Sequence, residues 1–567
     1  MVIKNMCFPK KTYSSFSNII TSINNNDLLT VALVLVLTIL CKTYFIFDGI
    51  SDEDSAYYLL YSVDFNEAIE YNSSMFNYYL TGFVSNLFLK FFSAKLLALR
   101  ILQILNYFLI FINVFFLLRR KLPNVCILCG ELLSLIILCS RPLEFYYDDF
   151  SASMCILSLL FMVKGVEKSN SFYLFLSGLV YGLNIFVRIP NLSYAVLFSY
   201  LFFVSDKSVP LFRRILYVFV GFIAALLLFF LLLYVNDDCG HALNGIMGLV
   251  YTSHDTENTH NLSRMLLVVS NSVRSILFAS IKVTAIFVLV FYLGKVRRYE
   301  KLYYIAVALI FVFFIFKLLR ILEHPTTSVY FYYKVISTVV LTYFIFRAKE
   351  YRSLVFILLL GIYVVPLGSD YYFTVSVAYI YAAVTSPFIF FCLYKIGEFG
   401  RACKLLYALC ILISCVFVIR NYFTDYNIPF GEKNTRSERK YEVAGCDALQ
   451  YIKTDSLKAD RFMRKAEIIK PYLKSKSLMI SRVPDLMLSV VLGKTSYNNR
   501  PKIWGTNTSV YKNAMEVYKR KHEKPDVLLS KESLKCSACP ELRFMKDIGG
   551  YRKVWEDEEY ELYSPVS

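Results

Sequence analysis

Long apolar runs recur along the first 420 positions, separated by short polar stretches rich in Lys and Arg. A helix needs about 20 apolar residues to cross a bilayer, so each run predicts a spanning helix. Counting runs alone gives fourteen, beginning with 28–47, 76–92, 96–118 and 123–140. The first begins near Leu28 and lacks a small-residue cleavage site after it, which predicts a retained helix rather than a removed leader.

Charge changes this count. If 76–92 spanned, Arg119, Arg120 and Lys121 would lie across the membrane from the basic N-terminus with Lys4, Lys10 and Lys11. Placing 74–92 in the outer interface as a short amphipathic or re-entrant helix removes the conflict. Every basic cluster then lies inside: 119–121, Lys164 with Lys168, Lys207 with Arg213 and Arg214, Lys295 with Arg297 and Arg298, Arg347 with Lys349 and Arg352, and Arg401 with Lys404. The pattern therefore predicts thirteen spans with a cytoplasmic N-terminal segment, 1–27, and a membrane domain, 28–420. Residues 48–99, 141–149, 236–274 and 320–333 face outward, and the spans near 172–187 and 191–204 are short, with Arg188, Pro190 and Asn191 in the turn between them.

After Arg420 the chain becomes polar. Runs such as SLMISRV and DVLLS read as strands, and GYRKVWEDEEYELYSP reads as two strands around an acidic turn. Residues 421–567 are expected to form an extracytoplasmic α/β domain.

A composition of 57% hydrophobic and 18% charged residues excludes an ordinary soluble domain. The net charge of +18 would suggest nucleic acid in a soluble protein; here the basic residues sit between apolar runs, where they set orientation, and no nucleic-acid partner is expected. Fourteen cysteines are scattered, many within apolar runs, and define no disulfide framework. Cys536 and Cys539 form a CxxC in the outer region that could be a local disulfide, whereas Cys126 and Cys129 read as packing. The chain has no GxxxxGK[ST] loop, so nothing supports ATP-driven transport.

The stretch DGISDED places four acids in seven positions, 48–54, beside an apolar run. Ser51 and Asp54 have capping-box spacing, so a well-capped interfacial helix accounts for part of this charge. Asp54, Tyr57, Tyr58 and Tyr61 also follow helical spacing, which puts a carboxylate at the head of an aromatic stripe, where it can act as a general base. A second group, EFYYDDFSASM at 144–154, carries Asp148 and Asp149; one acid would serve as an N-cap, with Ser151 sharing the work, but two exceed what a cap requires. Both groups fall on the outer side and could converge. Outer-side cations run against the orientation bias: Lys90, Lys95, Arg100, Arg141, Arg188, Arg320 and Lys334. Each is a candidate for lipid headgroups or for an anionic ligand such as a lipid phosphate, and Arg188, ending an apolar span, is the strongest. His241, His254 and His260 share the loop 236–274 with four acids, without a recognised metal spacing.

These features resemble the GT-C superfamily of membrane glycosyltransferases, specifically the group of the lipid A aminoarabinose transferases and protein O-mannosyltransferases. The resemblance rests on Asp52-Glu53-Asp54-Ser55-Ala56-Tyr57 in the first outer loop, the interfacial helices after it, and Asp148-Asp149 at the start of the fourth span. It covers most of the chain by layout, and only the two acidic motifs are residue-specific; the first reads DEDSAYY where the group has a compact DE followed closely by Tyr. It implies a polytopic α-helical fold of about 13 transmembrane helices with an outer C-terminal α/β domain, seated in the cell (inner) membrane. It further implies inverting transfer of a sugar from a polyprenyl-phosphate donor to a glycan, lipid or protein acceptor. The first-loop catalytic acid would be Asp54 or Glu53, and the second Asp148, with Asp149 competing. Lys95, Arg100, Arg141 and Arg188 are candidates for the donor phosphate. No cofactor is certain, and a divalent cation bridging acid to phosphate is compatible with this arrangement. Two other classes fit the same chain: a polytopic transporter or lipid-linked glycan flippase, and an assembly factor that keeps the fold without the chemistry.

Overall fold

The computed structural model describes residues 22–50, 54–71, 73–138, 143–204, 209–254, 262–295, 325–348, 350–364, 378–395, 438–482, 485–497, 507–535 and 539–566. Ser51, Asp52, Glu53, Arg141, His260, Arg320, Cys536 and the expected last span before Arg420 lie outside them.

Four described helices are long and apolar enough to cross a membrane: Lys95–Leu118, Tyr147–Glu167, Leu211–Val235 and the apolar part, Leu266–Ile286, of a longer helix. We name the helices α1 (Asp27–Thr43), α2 (Asp54–Val63), α3 (Phe65–Tyr71), α4 (Tyr79–Leu89), α5 (Lys95–Leu118), α6 (Asn124–Leu138), α7 (Tyr147–Glu167) and α8 (Ser171–Val187). They continue as α9 (Leu211–Val235), α10 (Cys239–His254), α11 (Leu262–Lys295), α12 (Pro325–Arg347), α13 (Arg352–Val364) and α14 (Ala378–Lys395).

α4, within the expected interfacial segment, has 11 residues and spans only about 16 Å at 1.5 Å per residue, too short to cross. It packs between α2, α5 and α8.

Beyond α8 the chain departs from α geometry. Residues Ile189–Ser199 wind as a 3₁₀ helix, followed by one α turn, Tyr200–Phe203. Pro190 removes a donor at the start, and the Asn191 side chain is drawn back toward α7 and α8. At about 2 Å per residue this winding carries a short segment farther than an α-helix would.

α7 is buried on most of its surface between α5 and α8. α9 buries a stripe of Arg214, Val218, Gly221, Ala225, Phe229 and Leu233 and leaves Leu227, Leu228, Phe230 and Leu231 exposed, as suits a helix facing lipid. Small residues set this interface: Gly178 and Gly182 of α8 face Gly221 and Ala225 of α9. A Cβ on Gly178 would overlap the Val218 carbonyl, and one on Gly221 the Phe175 carbonyl. The backbones therefore touch, as in small-xxx-small pairs generally.

The C-terminal part folds around a five-stranded sheet in the order β4-β3-β5-β7-β6, with β3 (Ser477–Ile480), β4 (Thr495–Ser496), β5 (Asp526–Ser530), β6 (Tyr551–Glu556) and β7 (Tyr560–Pro565). β3 runs parallel to β4 and β5; β7 is antiparallel to β5 and β6. The acidic turn of the β6–β7 hairpin is organised by Asp557, which accepts from the Glu559 and Tyr560 amides at 2.8 and 2.7 Å. A small ladder, β1 (Tyr441–Glu442) on β2 (Lys453–Thr454), precedes helix α15 (Ser456–Ile469), which is capped by Asp455.

This part docks on the segment between α2 and α4. Glu67 and Glu70 of α3 meet Thr495 and Lys521 at 2.6 Å each, and the Tyr71 hydroxyl donates to Glu523 at 2.7 Å.

Candidate active site at the outer helix ends

Asp148 and Asp149 lie in the first turn of α7, not at its cap. The N-cap position is Tyr146, which makes no side-chain capping bond, so the cap reading of these acids is corrected. Their partners come from other helices. Arg188, extended at the end of α8, places Nη1 3.0 Å from Asp148 Oδ1, and both side chains are buried. Gln103 of α5 donates from Nε2 to Asp149 Oδ2 at 2.5 Å.

The Arg188 turn is fixed by an amide–hydroxyl knot. Asn191 Nδ2 donates to Ser151 Oγ at 2.7 Å and to the Asn184 carbonyl and side-chain oxygens at 3.0 Å each; Asn184 Nδ2 donates to the Ser151 carbonyl at 3.3 Å. Ser151 thus holds the turn carrying Arg188 rather than capping its own helix.

The expected stripe on α2 exists and is turned toward this pair. Tyr58 meets Tyr146 edge-on at 4.9 Å between ring centres, Tyr146 lies 4.2 Å from Tyr147, and Tyr147 stacks on Tyr78 at 4.2 Å. The Arg188 guanidinium sits 5.5 Å from the Tyr147 ring, within cation–π reach. Tyr57 and Tyr61 continue the stack along α2. Asp54 opens α2, one turn before Tyr57 and Tyr58, so a wall of tyrosines joins the two acidic motifs.

Two other candidate cations have partners of their own. Lys95, the first residue of α5, donates to the Leu89 carbonyl at 2.8 Å. Arg100, deeper in α5, is buried and ion-paired with Glu144 at 3.0 Å.

One of the four acids that share the loop 236–274 with the histidines is buried. Asp238, after α9, accepts from the Tyr79 hydroxyl of α4 at 2.6 Å. Burial raises its pKa, against the opposing effects of that bond and of His241. Burial and Arg520 lower the pKa of His241. Gln103 and Glu144 were passed over; an isolated amide inside an apolar run, and a glutamate four residues before an acid pair, were the available signals.

Among the described residues no group of three or more His, Cys, Asp or Glu is arranged to hold a metal ion. Arg188 and Gln103 each engage one carboxylate oxygen of this pair, Oδ1 of Asp148 and Oδ2 of Asp149. Cys539 is a free thiol that contacts Glu541 at 3.2 Å.

The arrangement combines carboxylates, a buried guanidinium and aromatic faces at the end of apolar helices. That set can hold an anion beside the membrane and accept a proton nearby.

No protein-family model matches the chain, and no curated protein matches it by sequence. Solved structures do match. An oligosaccharyltransferase of Archaeoglobus fulgidus, in complex with Zn and sulfate, is similar over 95% of this chain and 73% of its own, at 13% identity and a TM-score of 0.47. ArnT from Cupriavidus metallidurans is similar over 94% of this chain and 97% of its own at 12% identity, with TM-scores of 0.38 for the apo form and 0.42 for the form bound to undecaprenyl phosphate.

Proposed function

We propose that the chain is an integral membrane glycosyltransferase that moves a sugar from a polyprenyl-phosphate donor to a glycan, lipid or protein acceptor on the outer face. The observation that carries this reading is the junction of the two acidic motifs: α2, headed by Asp54, stacks through Tyr58 and Tyr146 onto the start of α7, where Asp148 holds Arg188.

Asp54 is the general base. An acceptor hydroxyl or amine attacks the anomeric carbon, its proton passes to the Asp54 carboxylate, and the bond from that carbon to the phosphate oxygen breaks with its electrons on the phosphate. Inversion follows from a single displacement. The leaving phosphate needs no added proton, so one carboxylate suffices, and Arg188, oriented by Asp148, stabilises the charge that develops. Glu53 is the alternative base, Asp149 and Tyr147 lie where sugar hydroxyls would bind, and Lys95 and Arg141 remain candidates for the phosphate. The charge bias of the loops supports a cytoplasmic N-terminus and an outer C-terminal domain in the cell membrane.

A second reading, a transporter or flippase, draws on ionisable groups inside spans: Glu131 of α6 and Lys334 of α12 are buried, and both Glu131 carboxyl oxygens lack a hydrogen-bond partner among the described residues.

The test is transfer by the purified protein in lipid from a panel of polyprenyl-phosphate sugars, with Asp54→Asn alongside. Sugar release by the wild type that is lost in a folded Asp54→Asn supports both donor class and base. Full activity of Asp54→Asn moves the base to Glu53, and no turnover with any donor by a folded wild type overturns the enzyme reading.

A further inference from the structure

Arg100 carries five N–H donors, and all five have partners within the protein. Nη1 donates to the carbonyls of Ile46 and Asp48 at 2.8 and 3.2 Å. Nη2 donates to the Gly49 carbonyl at 2.5 Å and to Glu144 Oε1 at 3.0 Å, and Nε reaches the same Glu144 oxygen at 3.3 Å. Nothing is left over for a phosphate. The guanidinium instead grips three carbonyls of the backbone that leads into the acidic stretch.

Glu144 extends the grip past that stretch. Its Oε1 also accepts from Ser55 Oγ at 2.9 Å, and Ser55 is the second residue of α2, directly after Asp54. One buried ion pair therefore holds the chain on both sides of the candidate base.

The C-terminal domain holds the same segment from the opposite side. The Gly49 amide donates to the Lys453 carbonyl, and the Lys453 amide donates to the Phe47 carbonyl, at 2.7 Å each, so Asp48 forms an isolated parallel bridge with Lys453 of β2. Ile50 is fully buried in a core with Leu449, Ile452, Phe462 and Leu486 of the C-terminal domain. Lys458 of α15 donates from Nζ to the Ile50 carbonyl at 2.9 Å.

From this we infer that the C-terminal domain is a positioning element of the active site. Lys458, together with the Arg100–Glu144–Ser55 bracket of the membrane domain, fixes where the first residues of α2, headed by Asp54, sit. Residues 46–50 belong at once to the membrane domain through Arg100 and to the outer domain through Lys453, Ile50 and Lys458. Displacing a catalytic group by about 1 Å costs on the order of a hundredfold in rate, so a contact remote from the substrate can control turnover. Lys458 does this without meeting the substrate, and Arg100 acts in the bracket rather than as a phosphate ligand. The inference rests on the reading of Asp54 as base, but its structural half stands apart from that reading.

The experiment uses the full-length protein in lipid and compares Lys458→Met, Lys458→Arg and Ser55→Ala with wild type. The control is Lys465→Met in the same helix, whose ammonium pairs with Asp557 and Glu559, away from the loop. Hydrogen exchange is followed at the Gly49 amide and through α2, and transfer is resolved into kcat and KM. Exchange at these sites is expected to speed up by about tenfold or more in Lys458→Met and Ser55→Ala, with kcat down by about tenfold to a hundredfold, KM for the donor unchanged, and partial recovery in Lys458→Arg. Lys465→Met should match wild type in both. Unchanged exchange in both variants overturns the clamp; faster exchange with an unchanged kcat overturns its positioning role. Should the wild type transfer no sugar, the glycosyltransferase reading fails separately, and exchange alone then decides whether the outer domain holds this loop.

Discussion

Asp148 and Arg188 meet 3.0 Å apart at adjoining ends of two adjacent helices, and neither has appreciable access to solvent. A buried pair of this kind is costly to break from one side, because the remaining charge stays desolvated. Asp148→Ala is expected to destabilise the protein by about 3–5 kcal/mol. The combined change Asp148→Asn with Arg188→Gln should recover much of that stability but none of the transfer. Thermal unfolding in detergent, run beside the transfer assay, separates these outcomes; a doubly changed protein that still transfers sugar would remove Arg188 from the phosphate site.

The glycine seam between α8 and α9 yields a packing prediction. Gly178→Val drives a branched side chain into the Val218 carbonyl and should destabilise by about 1–3 kcal/mol or more. Gly240, in α10, has open space where a Cβ would go, so Gly240→Ala should be neutral or stabilising by up to about 1 kcal/mol. Unfolding temperatures of the two variants test this directly, and equal effects would contradict the close approach of the backbones.

Asp238 gives a pH dependence whose sign follows from its burial. Its folded pKa lies above the ordinary 3.8, so between the two values the folded protein holds more protons than the unfolded chain. Stability contributed at this site therefore falls as pH rises through that window and stays lower above it. Asp238→Asn should gain stability over wild type above the window and lose that advantage in acid. Tyr79→Phe, which deletes the hydrogen bond that lowers this pKa, should extend the window upward. Unfolding midpoints across pH would check both, and a variant whose advantage grows in acid would reverse the assignment.

Orientation supplies a fourth prediction. A reporter active only outside the cytoplasm, fused after Ser567, should give signal, and one fused before Val2 should not. A cytoplasmic signal from the C-terminal fusion would count against the glycosyltransferase reading, since the clamp on residues 46–50 requires the outer loop and the C-terminal domain to share a side.

Much of this architecture was legible in periodicity and charge. The tyrosine stripe on α2 follows from helical spacing, the strands at SLMI and DVLLS from short apolar runs, and a helix too short to cross within 74–92 from the distribution of basic residues. Partners across the chain were not legible. Asp149 meets Gln103 and Asp238 meets Tyr79 through tertiary packing that leaves no trace in local sequence. At Arg100 an outer cation suggests an anionic ligand, whereas its partners are the protein's own backbone carbonyls and the Glu144 carboxylate. The 3₁₀ winding after Arg188 escaped detection for a related reason, since Asn191 is held by Ser151 and Asn184, which precede it by 40 and 7 residues.

The brevity of α8 has a bearing on the surrounding lipid. Its 17 residues reach about 26 Å, several ångströms less than a hydrocarbon slab of about 30 Å. Bilayers answer such mismatch by thinning against the short wall. Headgroups beside α8 are then drawn inward, toward the level at which that helix ends in Arg188.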